Sequence, residues 1–194
     1  QGAISAGKVV AYSLNASGKN DQVIGSTKTG ADGSFELNVS TLPAHGMRIE
    51  VTEGTYQSEA DTSKTVSGSA LSVILQNVTK DGVTGLVINP LTTFVDRRWQ
   101  TLLVSGAASV DGADSEIKSI YGLKNETASL SSINPDFSAS NGSAASIALL
   151  LGALEQLAIE SGKSPISIIE AFSQDLSDGR IDGKSSAGTP ITYG

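Results

Sequence analysis

The sequence predicts an α+β protein with segregated parts, an N-terminal antiparallel β-sandwich followed by a C-terminal cluster of about four helices. Up to residue 88, short alternating segments are separated by Gly, Asn and Asp turns, which is typical of antiparallel strands. From residue 90, apolar residues recur at intervals of three and four, the spacing of helices. The change falls within 87–94 (VINPLTTF), with no flexible linker, so we expect the two parts to pack as one rigid body.

Alternation of apolar and polar residues marks the predicted strands. The clearest is 34–39 (SFELNV), where Phe35, Leu37 and Val39 share one face. It follows Asp32-Gly33, a pair favoured in hairpin turns. We predict strands at 8–13, 23–28, 34–39, 47–51, 70–78 and 83–88. Short strands with this punctuation indicate a sandwich domain over residues 1–88.

Asn89 and Pro90 begin the first predicted helix. Asparagine can accept a hydrogen bond from an unpaired amide at a helix start, and proline there has no amide to leave unpaired. Phe94 and Val95 fall on the apolar face, so we expect both to be buried near the sandwich. Segment 144–159 is apolar almost all round and is predicted to be the most buried helix. The helices cover 90–105, 114–121, 144–159 and a last one from Pro165 to Gly179, in a module over 89–184 followed by an extended tail over 185–194.

Composition excludes several functions. The formal net charge of -7 and the pI near 4.6 argue against nucleic acid and anionic membranes as partners, since both attract basic surfaces. No run approaches the roughly 18 apolar residues of a bilayer-spanning helix, so we expect no membrane insertion. The chain has no cysteine, which excludes disulfides, thiolate catalysis and thiolate zinc sites.

An acidic, cysteine-free chain rich in Ser, Thr and Gly is typical of proteins outside a bacterial cell, so we expect a secreted or cell-surface location. Glycosylation triplets begin at Asn15, Asn38, Asn77, Asn125 and Asn141. In a chain so rich in Ser and Thr several such triplets arise by chance, and the sequence does not decide whether any is used.

Two segments carry a family resemblance: 2–12 (GAISAGKVVAY) and 29–37 (TGADGSFEL). They resemble the carboxypeptidase regulatory-like sandwich, a transthyretin-like or Ig-like fold, over about the first 80 residues. Such modules normally have a strand before the first segment, and this chain has none there. Either that strand lies outside the chain or another segment fills its place, because an empty edge leaves backbone groups unpaired.

The order of the parts carries the resemblance further. A sandwich, then Asn-Pro-Leu-Thr-Thr, then a Leu/Ala-rich helix and a Ser-Pro-initiated helix is similar to an arrangement in large bacterial envelope and extracellular proteins. The resemblance implies a surface or secreted protein with a structural or binding role. It supplies no catalytic residue and no cofactor.

Candidate catalytic and metal sites have simpler interpretations. His45 is the single histidine and no nucleophile motif accompanies it, so a loop histidine is favoured over a hydrolase triad and we expect no enzyme activity. The calcium candidates are Asp175, Asp178 and Asp182. Their register does not fit an EF-hand loop, so a helix C-terminus with acidic turn residues is favoured and no metal is predicted.

Two further constellations were considered. Arg97 and Arg98 beside Trp99 could bind nucleic acid or form a cation–π pair, but a solvated face or a local salt bridge is favoured in an acidic protein. Lys8 and Glu50, with Asn77 or Asn89, match the residue types of sandwiches that form an isopeptide bond, at loose spacing. Neither is assigned a function.

The sequence therefore favours a non-enzymatic, self-associating subunit of a bacterial surface fibre or assembly, whose partners through β-strand addition are other copies or neighbouring domains. Two segments could be the donor strand: the arm 1–6, through Ile4, or the tail 189–194, through Ile191 and Tyr193. The alternative is a ligand- or carbohydrate-binding or spacer module of a larger secreted adhesin.

Overall fold

Strands precede helices in the computed structural model, which describes residues 3–58, 61, 63–68, 70–106 and 109–193. The predicted mixed α+β class is confirmed. The strands are β1 Lys8–Leu14, β2 Asn20–Lys28, β3 Met47–Thr52, β4 Thr55–Gln57, β5 Thr65–Ser67 and β6 Leu71–Leu75. The helices are α1 Pro90–Val104, α2 Val110–Ile120, α3 Gly142–Ser161 and α4 Pro165–Asp175.

Four strands form one antiparallel sheet in the order β2-β1-β3-β6. They correspond to the predicted strands at 8–13, 23–28, 47–51 and 70–78. A separate two-stranded sheet pairs β4 with β5, in a stretch between the predicted strands 47–51 and 70–78 where no strand was predicted. Both strands of this hairpin are only three residues long, which leaves too little alternation to detect.

The predicted strands at 34–39 and 83–88 are wrong, because neither segment joins a sheet among the described residues. Phe35, Leu37 and Val39 are nevertheless half-buried against the core, with exposed residues between them. The amide of Ser40 bonds to the carbonyl of Ile24 on β2 at 2.8 Å. The alternation of apolar and polar residues in 34–39 therefore predicted correctly which side chains are buried, but not whether the segment pairs with another strand. A complete β-sandwich is not confirmed.

Helix α1 begins where the sequence predicted. The side chain of Asn89 accepts a hydrogen bond from the Thr92 amide at 3.1 Å, and the Thr92 hydroxyl accepts one from the Asn89 amide at 3.0 Å. Phe94 and Val95 are both buried, as expected. This reciprocal cap and the buried face fix α1 immediately after the strands.

The start of α1 also closes the outer edge of β6. The Thr92 hydroxyl donates to the Ser72 carbonyl at 2.8 Å, and the Ser72 amide donates to the Thr93 hydroxyl at 2.9 Å. Backbone groups on a sheet edge otherwise remain available to another strand. Two threonine hydroxyls therefore pair with the backbone amide and carbonyl of Ser72, as the backbone of a fifth strand would at this position.

A buried ion pair joins the sheet to α1. Arg48 on β3 donates from Nε and Nη2 to the two carboxylate oxygens of Asp96, each at 2.8 Å. The Ser72 hydroxyl and the Gln100 amide also donate to Asp96, at 2.7 and 3.1 Å. Because both charged side chains are buried, the ion pair is stable only with this full set of hydrogen-bond partners.

Helix α3 is not the most buried helix, so that prediction is wrong. It buries one stripe, whereas Leu149 is 75% exposed, and almost every residue from Pro90 to Asp96 of α1 is buried. By length and composition α3 alone among the described helices could cross a bilayer, which corrects the expectation that no segment is apolar enough. Core helices of soluble proteins meet the same criterion, and the absence of membrane insertion stays a prediction.

Candidate functional site

A groove of about 790 Å³ lies between two segments that join no sheet, 33–42 and 78–86. We call it the apolar groove. Its floor is formed by Met47 and Ile49 of β3 and by Leu75 of β6. The apolar side chains along its sides are Phe35, Leu37, Val39, Leu42, Val83 and Leu86.

The register of the sheet explains why the groove is apolar. Alternate residues of a strand face opposite sides, so Met47 and Ile49 face the groove while Arg48 between them faces Asp96 of α1. Leu75 lies opposite Met47 on the neighbouring strand and faces the same side. One face of the sheet thus receives α1, and the other forms the floor of the groove.

Both sides of the groove have unpaired backbone. The amides and carbonyls of residues 35–39 and 83–86 make no backbone hydrogen bond to any other described residue. At the mouth, Leu42 and Val83 are each 52% exposed. Unpaired backbone beside a partly covered apolar surface is what an added β-strand requires, because its amides pair along the edge and its alternate side chains enter the groove.

The first predicted interaction residue, Ile4, lies inside its own domain. It is buried in the core, and the Thr29 hydroxyl donates to its carbonyl. Next to it, the amides of Ser5 and Thr55 each donate to the carbonyl of the other, at 2.8 and 3.0 Å. Residues 3–6 of the arm are therefore held by their own chain, and residues 1–2 lie outside the described part.

The other two interaction residues, Ile191 and Tyr193, lie at α4 and are half-buried. The Tyr193 hydroxyl donates to Asp175, and its ring centroid is 4.6 Å from that of Phe172. The Ile191 amide donates to the Gly183 carbonyl at 2.8 Å. The structure thus places these two together, but separates them from Ile4 and from the groove.

The carboxylates of the calcium candidates accept hydrogen bonds from backbone amides. Asp175 is fully buried and accepts hydrogen bonds from the amides of Asp182, Gly183 and Lys184 at 3.0 to 3.1 Å. Asp178 and Asp182 each accept one from the amide two residues later. In the part of the chain that the structure describes, no three acidic or histidine side chains are placed to hold a metal. This geometry supports the interpretation as a helix C-terminus.

Two buried tyrosines lie close to buried acids. Burial raises the pKa of Tyr56, with the negative charge of Glu155 as a second cause. Burial also raises the pKa of Tyr121, and here the charge of Asp175 adds to the effect. Both phenols therefore stay protonated at neutral pH.

The remaining candidate residues are exposed or take part in contacts that stabilise the fold. His45 is exposed in the turn before β3. Arg98 donates to Glu116 and to the Ser177 carbonyl, and Trp99 is buried, which agrees with a local salt bridge. Of the isopeptide candidates, Lys8 is exposed on β1, Glu50 accepts from Asn20, Asn77 is exposed, and Asn89 caps α1.

Sequence reasoning did not identify the groove or the Arg48–Asp96 pair. The alternation of Met47, Arg48 and Ile49 could have indicated this pair. Met47 and Ile49 mark one face of the strand as apolar, and an arginine buried on the opposite face needs a charged partner there. No protein-family model, curated protein or solved structure matches the chain. The family resemblance of residues 2–12 and 29–37 therefore stays a prediction.

Proposed function

We propose that this protein is a non-enzymatic structural subunit of a bacterial surface assembly, secreted or held at the cell surface, which self-associates by strand addition. The observation that carries the proposal is the apolar groove, whose two sides have backbone groups that are unpaired within the described part of the chain. An extended segment of a second copy lying in the groove would pair with residues 35–39 or 83–86. The partner is therefore another copy of this chain.

Energetics favours such an occupant. Fully burying a Leu or Val side chain contributes about 1.5–3 kcal/mol, and Leu42 and Val83 are both half exposed at the mouth. Each added backbone hydrogen bond contributes a further 0.5–1.5 kcal/mol or so. An extended chain with alternating apolar side chains supplies both contributions at once, whereas a small polar ligand supplies neither.

The family resemblance supports the same interpretation. In the carboxypeptidase regulatory-like, transthyretin-like sandwich, a strand precedes the segment that matches 2–12. We propose that the first half of this chain, 1–88, is a variant of that sandwich. The acidic, cysteine-free composition supports the extracellular location.

The test is the oligomeric state of the purified protein, measured by light scattering over a wide range of concentrations. The native chain is expected to self-associate, and Leu42→Asp or Val83→Asp to keep it monomeric, because a carboxylate in the groove must be desolvated. Leu149→Asp and Val104→Asp are matched controls, since both residues are exposed and lie outside the groove. A native protein that stays monomeric throughout, or control variants that alone abolish association, would overturn the proposal.

A second cavity favours the alternative, a carbohydrate-binding or spacer module of a larger secreted adhesin. It measures about 880 Å³ between α1 and α4, and its polar side chains include Arg97, Gln100, Glu170 and Gln174. However, Tyr56 and Trp99 are buried and cannot stack on a sugar. Binding on a glycan array that Arg97→Ala abolishes would favour this alternative over self-association.

A further inference from the structure

The two candidate donor segments are held very differently. This inference rests on the proposed self-association and concerns which segment enters the groove. Ile4 of the N-terminal arm is a buried core residue, and Ser5 exchanges two backbone hydrogen bonds with Thr55. Releasing the arm would expose that core surface and leave a strand of the hairpin without its partner. The arm is therefore an integral part of its own domain.

The tail folds back on itself without adding a core residue. The Ser185 amide donates to the Thr189 carbonyl at 2.9 Å, and the Ile191 amide donates to the Gly183 carbonyl at 2.8 Å. Tyr193 is held by its hydroxyl contact with Asp175 and its ring contact with Phe172. Residues 184–193 are exposed or half-buried, so releasing the tip exposes no core residue, whereas releasing the arm exposes Ile4.

The tail also has the pattern and length of a donor. Ile191 and Tyr193 are two residues apart, so in an extended chain both face the same side. Pro190 precedes them, at the start of the segment, where a missing amide is tolerated in a strand. Residues 185–193 span up to about 30 Å when extended, which is enough to leave α4 and contact a second molecule.

We infer that the donor is segment 189–193 of a second copy, with Ile191 and Tyr193 entering the apolar groove. The contact between Tyr193 and Asp175 is then a latch that keeps the segment on its own α4 in the monomer. Release breaks the side-chain hydrogen bond and ring contact of Tyr193 and the backbone hydrogen bonds of Thr189 and Ile191. Binding pairs the segment with the unpaired backbone of the groove.

Cysteine cross-linking between different copies tests the inference, because the chain has no cysteine of its own. One copy carries Thr192→Cys, an exposed position that leaves Ile191 and Tyr193 intact. The other carries Val83→Cys in the groove or, as the matched control, Val104→Cys outside it. After mixing and mild oxidation, the mixed disulfide with Val83→Cys is expected to exceed that with Val104→Cys by roughly tenfold, the ratio for 1.4 kcal/mol of preference.

The outcomes separate this inference from the proposed function. Equal yields at Val83→Cys and Val104→Cys in a protein that still self-associates would overturn the donor assignment alone. So would stronger cross-linking of Val83→Cys to Ala3→Cys in the arm than to Thr192→Cys in the tail. A native chain that never associates would instead overturn the proposed function.

The latch has its own readout. Tyr193→Phe keeps the ring but removes the hydroxyl that donates to Asp175. It is expected to raise both the dimer fraction and the yield of the Thr192→Cys to Val83→Cys disulfide, since the tail is released more readily. A variant whose dimer fraction falls or stays unchanged would contradict the latch.

Discussion

Asp96 is fully buried, and both of its carboxylate oxygens accept hydrogen bonds. From the sequence, Arg97 and Arg98 beside Trp99 suggested a solvated helix face or a local salt bridge. Only Arg97 is exposed; Asp96 pairs with Arg48, and Arg98 with Glu116. A local sequence pattern cannot identify a partner that lies on a distant strand. The sequence therefore shows that these residues are charged, but not which of their side chains are buried.

Replacing Asp96 tests the strength of this junction. Asp96→Ala leaves the Arg48 guanidinium buried without its carboxylate, so we expect the free energy of unfolding to fall by about 3–5 kcal/mol in urea denaturation. Arg97→Ala, at the exposed neighbouring position, is expected to change it by less than about 0.5 kcal/mol. Similar losses in both variants would contradict a special role for the buried pair.

Asp61 gives a prediction for pH. Hydrogen bonds from the Ser63 hydroxyl, then from the side chain of Lys64, lower its pKa to about 2. A carboxylate whose folded pKa is depressed stabilises the fold above its unfolded pKa, and that contribution is lost as the pH falls from about 4 towards 2. We expect Ser63→Ala to raise the Asp61 pKa in an NMR titration of the carboxyl carbon, and the exposed-site control Ser67→Ala to leave it unchanged. An unchanged pKa in Ser63→Ala would refute the assignment.

Single elements show what the sequence can predict and what it cannot. The starts of α1 and α4 follow from Asn89-Pro90 and Ser164-Pro165, because capping depends on a few adjacent residues. The strand pairing of 34–39 and the burial of α3 depend instead on which distant surfaces are present. Because α3 has apolar residues on all sides, any of its faces could pack on the core. Its exposed face therefore could not be predicted.

Two asparagine caps allow a matched comparison. The side chain of Asn89 bonds to the Thr92 amide, whereas Asn141, at the start of α3, makes no side-chain cap bond. Asn89→Ala is therefore expected to lower the free energy of unfolding by about 0.5–2 kcal/mol, and Asn141→Ala by clearly less. Thermal or urea unfolding measures both. Equal losses would show that the bond to Thr92 contributes nothing.

Across the whole molecule, α1 belongs to both halves. It packs on β6, and its Trp99 lies against Gly18 in the turn between β1 and β2. The absence of a linker at 87–94 led us to expect one rigid body, and these contacts agree with that expectation. The apolar groove, by contrast, could not be predicted from the sequence, because its sides come from segments that are distant in the chain.

Unfolding of the whole chain should therefore be cooperative. Trp99 is the single tryptophan and is buried between α1 and the sheet, so its fluorescence reports their separation. We expect its transition in urea to coincide with the loss of far-UV circular dichroism, as in a two-state protein. Separate midpoints would mean that the two halves unfold independently.

The hydroxyls of Thr92 and Thr93 have a consequence for the shape of an assembly. Because they occupy the edge of β6 at Ser72, two copies cannot join there through the same edge in a symmetric pair. Joining a tail to a groove is a head-to-tail contact, which repeats in one direction. A filament built this way would have two unlike ends, one with a vacant groove and one with an undonated tail. Val83→Asp subunits would then join at only one end and stop growth there.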